Sequence, residues 1–160
     1  MNEPARPSRF QETTPEAITE ARALLAHARH GALASLLPPD GQPLASRVAL
    51  ALLPDGAPLI LVSGLSPHSA ALRSDPRCSL LVGDVGKGDP LAHPRVSLQC
   101  HAVELPRDEA LRARFLAAHP KAELYIDLPD FTCFRLSPDA ATYIAGFGRA
   151  YHLAGTDLLV

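Results

Sequence analysis

Residues 31–63 read GALASLLPPDGQPLASRVALALLPDGAPLILVS, and the punctuation of this stretch decides the fold. Three short apolar runs, 31–37, 43–53 and 59–63, are separated by PPDG at 38–41 and PDGAP at 54–58. Proline presets φ and glycine supplies φ > 0, so both separators are turn signals. Runs of this length between such turns form a three-stranded antiparallel meander. The middle run is rich in alanine and by composition alone passes for a helix; the turns on either side decide for a strand.

Upstream, residues 1–12 are polar and proline-containing and read as a flexible arm. Thr13 to Glu16 spell a capping box with Pro15 in the first turn. Ile18, Ala21, Leu24, Leu25 and Ala28 then recur at helical spacing, which predicts a helix from Pro15 to about His30, ended by Gly31. Downstream, SPHSAALRS at 66–74 predicts a short helix with Ser66 as N-cap and Asp75-Pro76 as its stop. A fourth strand is expected over 77–84, a loop over 86–94, and a long fifth strand over 95–105. Residues 107–118 predict a helix with Leu111, Phe115 and Leu116 inward, broken at His119-Pro120, with a further helical turn over 121–126. The last two strands are expected at 131–136 and 141–153. Seven strands joined mostly by hairpins imply a mainly β fold, an antiparallel barrel with peripheral helices. The domain spans 13–153, and 154–160 is a short C-terminal tail.

A chain of 160 residues supports one domain that buries roughly 70% of its unfolded surface, so it needs no disulfide or metal staple. The net charge of −2 sets up no field that would recruit nucleic acid or an anionic membrane. An anionic ligand must therefore be held by local donors. Cys78, Cys100 and Cys133 lie far apart in apolar runs and read as buried free thiols. No apolar run reaches the ~18 residues of a membrane span, and the first residues lack a signal-peptide core, so a cytoplasmic location is expected. The seven histidines show no metal-binding spacing.

Four segments carry candidate chemistry. Residues 63–69, SGLSPHS, join a strand end to a helix start, where free N–H groups and the helix dipole favour phosphate. Ser63, Ser66 and Ser69 add hydroxyls, and His68 adds a titratable ring; the alternative is a plain capped turn with solvated serines. In 45–51, Arg47 shares a strand face with Ala45, Ala49 and Ala51, which leaves room for a flat ligand; otherwise Arg47 is a rim charge. Alternation places Arg95, Ser97 and Gln99 on one face of the fifth strand, either toward a ligand or toward solvent. In 145–150, Gly146 and Gly148 bracket Phe147, which suggests a bulge or a close approach, with Arg149 placed for a phosphate or a partner carboxylate.

In order and spacing these segments resemble the pyridoxamine-phosphate-oxidase-like FMN-binding split barrels, and within them the haem-utilisation (HugZ-type) branch. The resemblance rests on Ser63, Leu65, His68-Ser69 and Leu72, on 79–81, on Asp89-Pro90-Leu91 and Pro94-Arg95, on His119-Pro120 and Asp130-Phe131, and on 146–150. It implies an antiparallel split β-barrel working as a homodimer, with cofactor sites at the interface and a small-molecule redox substrate. It implies FMN as cofactor, with Arg47, Val48 and Ala49 beside the ring. Ser63, Ser66, His68 and Ser69 would then take the phosphate, and Arg95 and Gln99 would approach the flavin. A flavin-dependent oxidoreductase is the activity so implied. His68-Ser69 stand where oxidases of pyridoxamine phosphate carry an Arg-Lys pair, and the chain has no tryptophan, which argues against that one activity. The branch implies haem as the alternative cofactor; it would need an axial ligand and a distal donor, for which His152 and Asp130 are the nominees. A non-catalytic flavin-binding module is the third reading.

Overall fold

The computed structural model describes residues 10–160. Its helices are α1 (Pro15–His27), α2 (Pro67–Ser74) and α3 (Glu109–Ala118). Its strands are β1 (His30–Leu37), β2 (Gln42–Leu52), β3 (Pro58–Ser63), β4 (Arg77–Val82), β5 (Arg95–Leu105), β6 (Phe131–Gly146) and β7 (Arg149–Ala154). The sheet order is β3-β2-β1-β4-β5-β6-β7, every pairing is antiparallel, and a β3–β6 pairing closes the first six strands into a barrel. This is the split barrel that the meander announced.

The two ends of the chain depart from the sequence expectations. The N-cap of α1 is Thr14, whose Oγ1 accepts from the Ala17 N–H at 3.1 Å; Thr13 instead donates to the His152 carbonyl at 2.5 Å. The helix stops at His27, short of His30, because Ala28 turns extended (φ −65°, ψ 134°) and His30 is already paired with Ala49. Residues 1–9 of the expected arm lie outside the described residues. Residue Gln11 forms a parallel bridge with Tyr151 and donates its N–H to the Ala150 carbonyl at 2.8 Å. At the other end, residues Gly155–Leu158 form a 3-10 turn with Leu158 only 2% exposed in the core. Arg22 holds that turn by donating to the carbonyls of Asp157 at 2.7 Å and Leu159 at 2.5 Å.

The last two strands divide elsewhere than predicted. β6 runs unbroken through Ser137-Pro138-Asp139, and the break comes at Phe147-Gly148. Pro138 is tolerated because β6 changes neighbours there. Its first half pairs β3 and its second half pairs β7, with β5 along the other edge and a register shift at Gln99/Cys100. The left-handed backbone of Gly146 (φ 137°) and Gly148 (φ 73°) makes a hairpin turn, and the β6–β7 register shifts between Ile144 and Gly146, the bulge that was one of the readings.

Inside the barrel, Leu33, Leu50, Ile60, Leu80, Leu98 and Phe134 pack with Ala17, Ala21 and Leu25 of α1 and Leu72 of α2. A second cluster lies outside it. Phe115 of α3, with Ala122 and Ile126, covers Ala51, Leu59 and Leu61, so β3 is buried on both faces. The outer face of the other strands has no such lid. Across it run two rows of facing residues: Arg47, Ala32, Leu81, Ser97, Thr142, His152, and Ala45, Ala34, Ser79, Gln99, Ala140, Ala154.

Candidate functional site

The junction after β3 gathers Ser63, Ser66, His68 and Ser69 into one turn, but its hydroxyls are committed to the protein. Ser63 Oγ donates to Asp130 Oδ2 at 2.7 Å and accepts from the Leu65 N–H at 3.1 Å. Ser66 Oγ donates to the Ser63 carbonyl at 2.6 Å rather than capping α2. The Gly64 N–H donates to the Asp130 carbonyl at 2.6 Å. Burial lowers the pKa of His68, whose ring lies 3.3 Å from Ser66 Oγ, and so disfavours its charged form. The turn ahead of α2 thus holds an imidazole whose burial disfavours the charged form and a carboxylate engaged by Ser63. Ser69 is fully buried in the first turn of α2, and its Oγ has no hydrogen-bond partner.

Arg47 has different surroundings. It and Ala49 point outward from β2, while the Val48 side chain is 4% exposed and belongs to the barrel core rather than to the outer face. Arg47 lines a cavity of about 350 Å³ with His30, Gly31, Ala32, Ala45, Ser46, Leu81, Val82, Gly83 and Asp84. Its guanidinium makes no hydrogen bond or ion pair among the described residues. His30 Nε2 lies 3.9 Å from Asp84 Oδ1. Sequence reading missed His30 by placing it in α1. The signal was present: His30, Ala32 and Ala34 alternate with Gly31, Leu33 and Ser35, the period of a strand.

The remaining candidates are scattered. Arg95 donates through Nη1 to the carbonyls of Leu91 at 3.0 Å and His93 at 3.2 Å, bracing the loop before β5. Gln99 is exposed in the second cross-strand row. Arg149 lies 3.5 Å from Glu20 Oε2, which also accepts from Tyr143 Oη at 2.7 Å. The His152 ring stacks on Phe10 with centroids 3.5 Å apart. Arg47 and His152 end the same row five strand spacings apart, about 24 Å along the sheet. The junction residues thus share one turn and Arg47 shares a cavity with His30, whereas His152 does not line that cavity.

Residues 17–145 match the pyridoxamine 5'-phosphate oxidase family model. The chain belongs to this family. Its relatives include the chloroplastic haem oxygenase HOZ of Arabidopsis thaliana, 34% identical over 116 residues that cover 70% of this chain and 35% of that protein. The haem oxygenase HutZ of Vibrio cholerae is 29% identical over 107 residues, 62% of this chain and 61% of HutZ. A haem-binding protein of Mycobacterium smegmatis has a structure with TM-score 0.83 and 36% identity, covering 91% of this chain and 61% of that one. The chain thus spans about a third of HOZ and about three fifths of the other two. Family membership confirms the split barrel, and these named relatives are haem proteins rather than flavin enzymes. Among the described residues, no helix is long and apolar enough to cross a membrane.

Proposed function

We propose that this family member binds haem on the open outer face of its barrel and takes part in haem degradation. The observation that carries the reading is the Arg47 cavity, where an unpaired cation faces a floor of small side chains at the edge of a broad uncovered sheet. Haem asks for flat contact, an imidazole ligand and cations for its propionates. Ala32, Ala45 and Leu81 offer the first, His30 or His152 the second and Arg47 the third. The names of HOZ, HutZ and the mycobacterial relative support the same choice. Bound haem would supply an iron that activates oxygen. The chain's own part is to hold the propionate edge through Arg47 and to present an imidazole.

The uncovered row of residues from Arg47 to His152 also supports a homodimer. A two-fold packing of the uncovered face on itself, with the axis along the strands, would bring the Arg47 end of one copy toward the His152 end of the other. Leu81, 44% exposed in mid-face, would then be buried. Sedimentation should show Leu81→Asp as a monomer where the wild type is a dimer. The three free thiols suit a reducing cytoplasm.

FMN remains as a second reading because of one atom: the buried, partnerless Ser69 Oγ at the expected phosphate turn. Against it stand the committed Ser63 and Ser66 hydroxyls, a His68 whose charged form burial disfavours, and the Asp130 carboxylate. A visible spectrum of the protein titrated with haemin, and separately with FMN, decides. Haem gives a sharp band near about 400 nm, and a bound flavin gives a two-humped band near about 450 nm. Stoichiometric haem uptake with biliverdin-type product after reductant and oxygen is the expected result. Uptake of FMN and not of haemin would overturn it.

A further inference from the structure

Of the seven imidazoles, five are engaged by the protein itself. His27 Nδ1 meets the Ala23 carbonyl at 2.7 Å, and His93 Nε2 meets the Lys87 carbonyl at 3.0 Å. His68 Nε2 meets Ser66 Oγ at 3.3 Å, His101 Nδ1 meets Asp139 Oδ1 at 2.9 Å, and His119 Nε2 meets the Leu50 carbonyl at 2.8 Å. Only His30 and His152 keep both ring nitrogens free of hydrogen bonds among the described residues. The two differ in what surrounds them. One face of the His152 ring is covered by Phe10. His30 stands at the mouth of β1 and opens onto the Arg47 cavity.

We propose that His30, not His152, is the iron ligand of a haem seated in the Arg47 cavity. The inference rests on the haem reading and assigns it a ligand. The cavity supplies three things to one ring. Ala32 and Ala45 keep its floor low enough for a flat macrocycle to approach the strands. His30 pairs with Ala49 and Ala32 with Arg47, so His30 and Arg47 form a diagonal cross-strand pair, about 7–8 Å apart on the same outer face. That spacing separates a ligand for the ring centre from a cation for a carboxylate at the ring edge. Asp84, 3.9 Å from His30 Nε2, places a carboxylate beside the imidazole, where it can orient a ligating ring.

The test is a haemin titration of the full chain followed by absorption and resonance Raman spectra, in wild type and in His30→Ala, His30→Gln and His152→Ala. Wild type should show a histidine-ligated band. Both His30 variants should lose it and bind haemin about tenfold or more weaker. Added imidazole should restore the band in His30→Ala. His152→Ala should keep the wild-type spectrum, and Asp84→Asn should shift the iron–histidine stretch without abolishing it. His30 lies on an exposed strand end, and His30→Gln preserves its bulk, so circular dichroism should report folded protein throughout. Unchanged spectra in the His30 variants, or a loss confined to His152→Ala, would overturn the assignment and leave haem binding standing. A wild type with no histidine-ligated band would remove the haem reading itself.

Discussion

On one half of the barrel's outer face, Leu59, Leu61 and Ala51 lie beneath Phe115, Ala122 and Ile126. On the other half, Arg47, Ala32, Leu81 and Ser97 stay exposed or half-exposed. Both halves belong to one continuous sheet and alternate inward and outward by the same pleat. What differs is the outward set. Large aliphatic side chains meet α3 and complete a second core, while alanines, serines and one unpaired arginine face outward from the rest. The covered half is stabilised by its own chain. The open half has no element of its own chain over its outward side chains.

That contrast can be broken most forcefully at Phe115. Phe115→Ala should cost about 3–5 kcal/mol in urea unfolding, while Ser97→Ala on the open half should stay within about 0.5 kcal/mol. Equal losses would mean that the open half is a core in its own right. Arg47→Ala should leave stability unchanged but weaken haemin binding tenfold to a hundredfold, the removal of about 1.5–3 kcal/mol of charged hydrogen bonding, measured by titration. Ser63→Ala strips Asp130 and the Leu65 N–H of a partner and should lower stability by about 1 kcal/mol with haemin affinity unmoved.

The smallest effect is a pH dependence at His68. Burial lowers its pKa in the folded state, so the unfolded chain takes up the proton first as the solution acidifies. Stability from this group is full above the unfolded value of about 6.5 and falls as pH drops toward the depressed folded value. His68→Gln should flatten that part of the urea midpoint profile between pH 7 and pH 5. A profile that stays parallel to wild type would place the acid sensitivity elsewhere.

The meander at 31–63 was legible because its signals are local. PPDG and PDGAP fix two turns without reference to anything distant. The same locality misled the reading of β6, where Ser137-Pro138-Asp139 looks like a turn. Only the change of neighbour from β3 to β7 shows why a proline can sit inside that strand. The Ser63 junction was recognisable as a strand-to-helix turn, but its chemistry was not, since the group that claims Ser63 is Asp130, 67 residues away. Arg95 and Arg149 stood out as available cations; the carbonyls of Leu91 and His93 and the carboxylate of Glu20 engage them in the fold. His30 escaped notice because a helical repeat and a strand repeat overlap at 28–31.

The bridge from Gln11 to Tyr151, with Thr13 bonded to the His152 carbonyl, has a consequence for how copies of this protein avoid one another. β7 ends the sheet, and a bare terminal strand is a template on which another chain can zip. The residues just ahead of α1 lie along that border and use up its hydrogen-bonding groups near Ala150 and His152. Shortening the chain to Thr14 would uncover the seam and invite strand-to-strand clumping, even though no core contact had been touched.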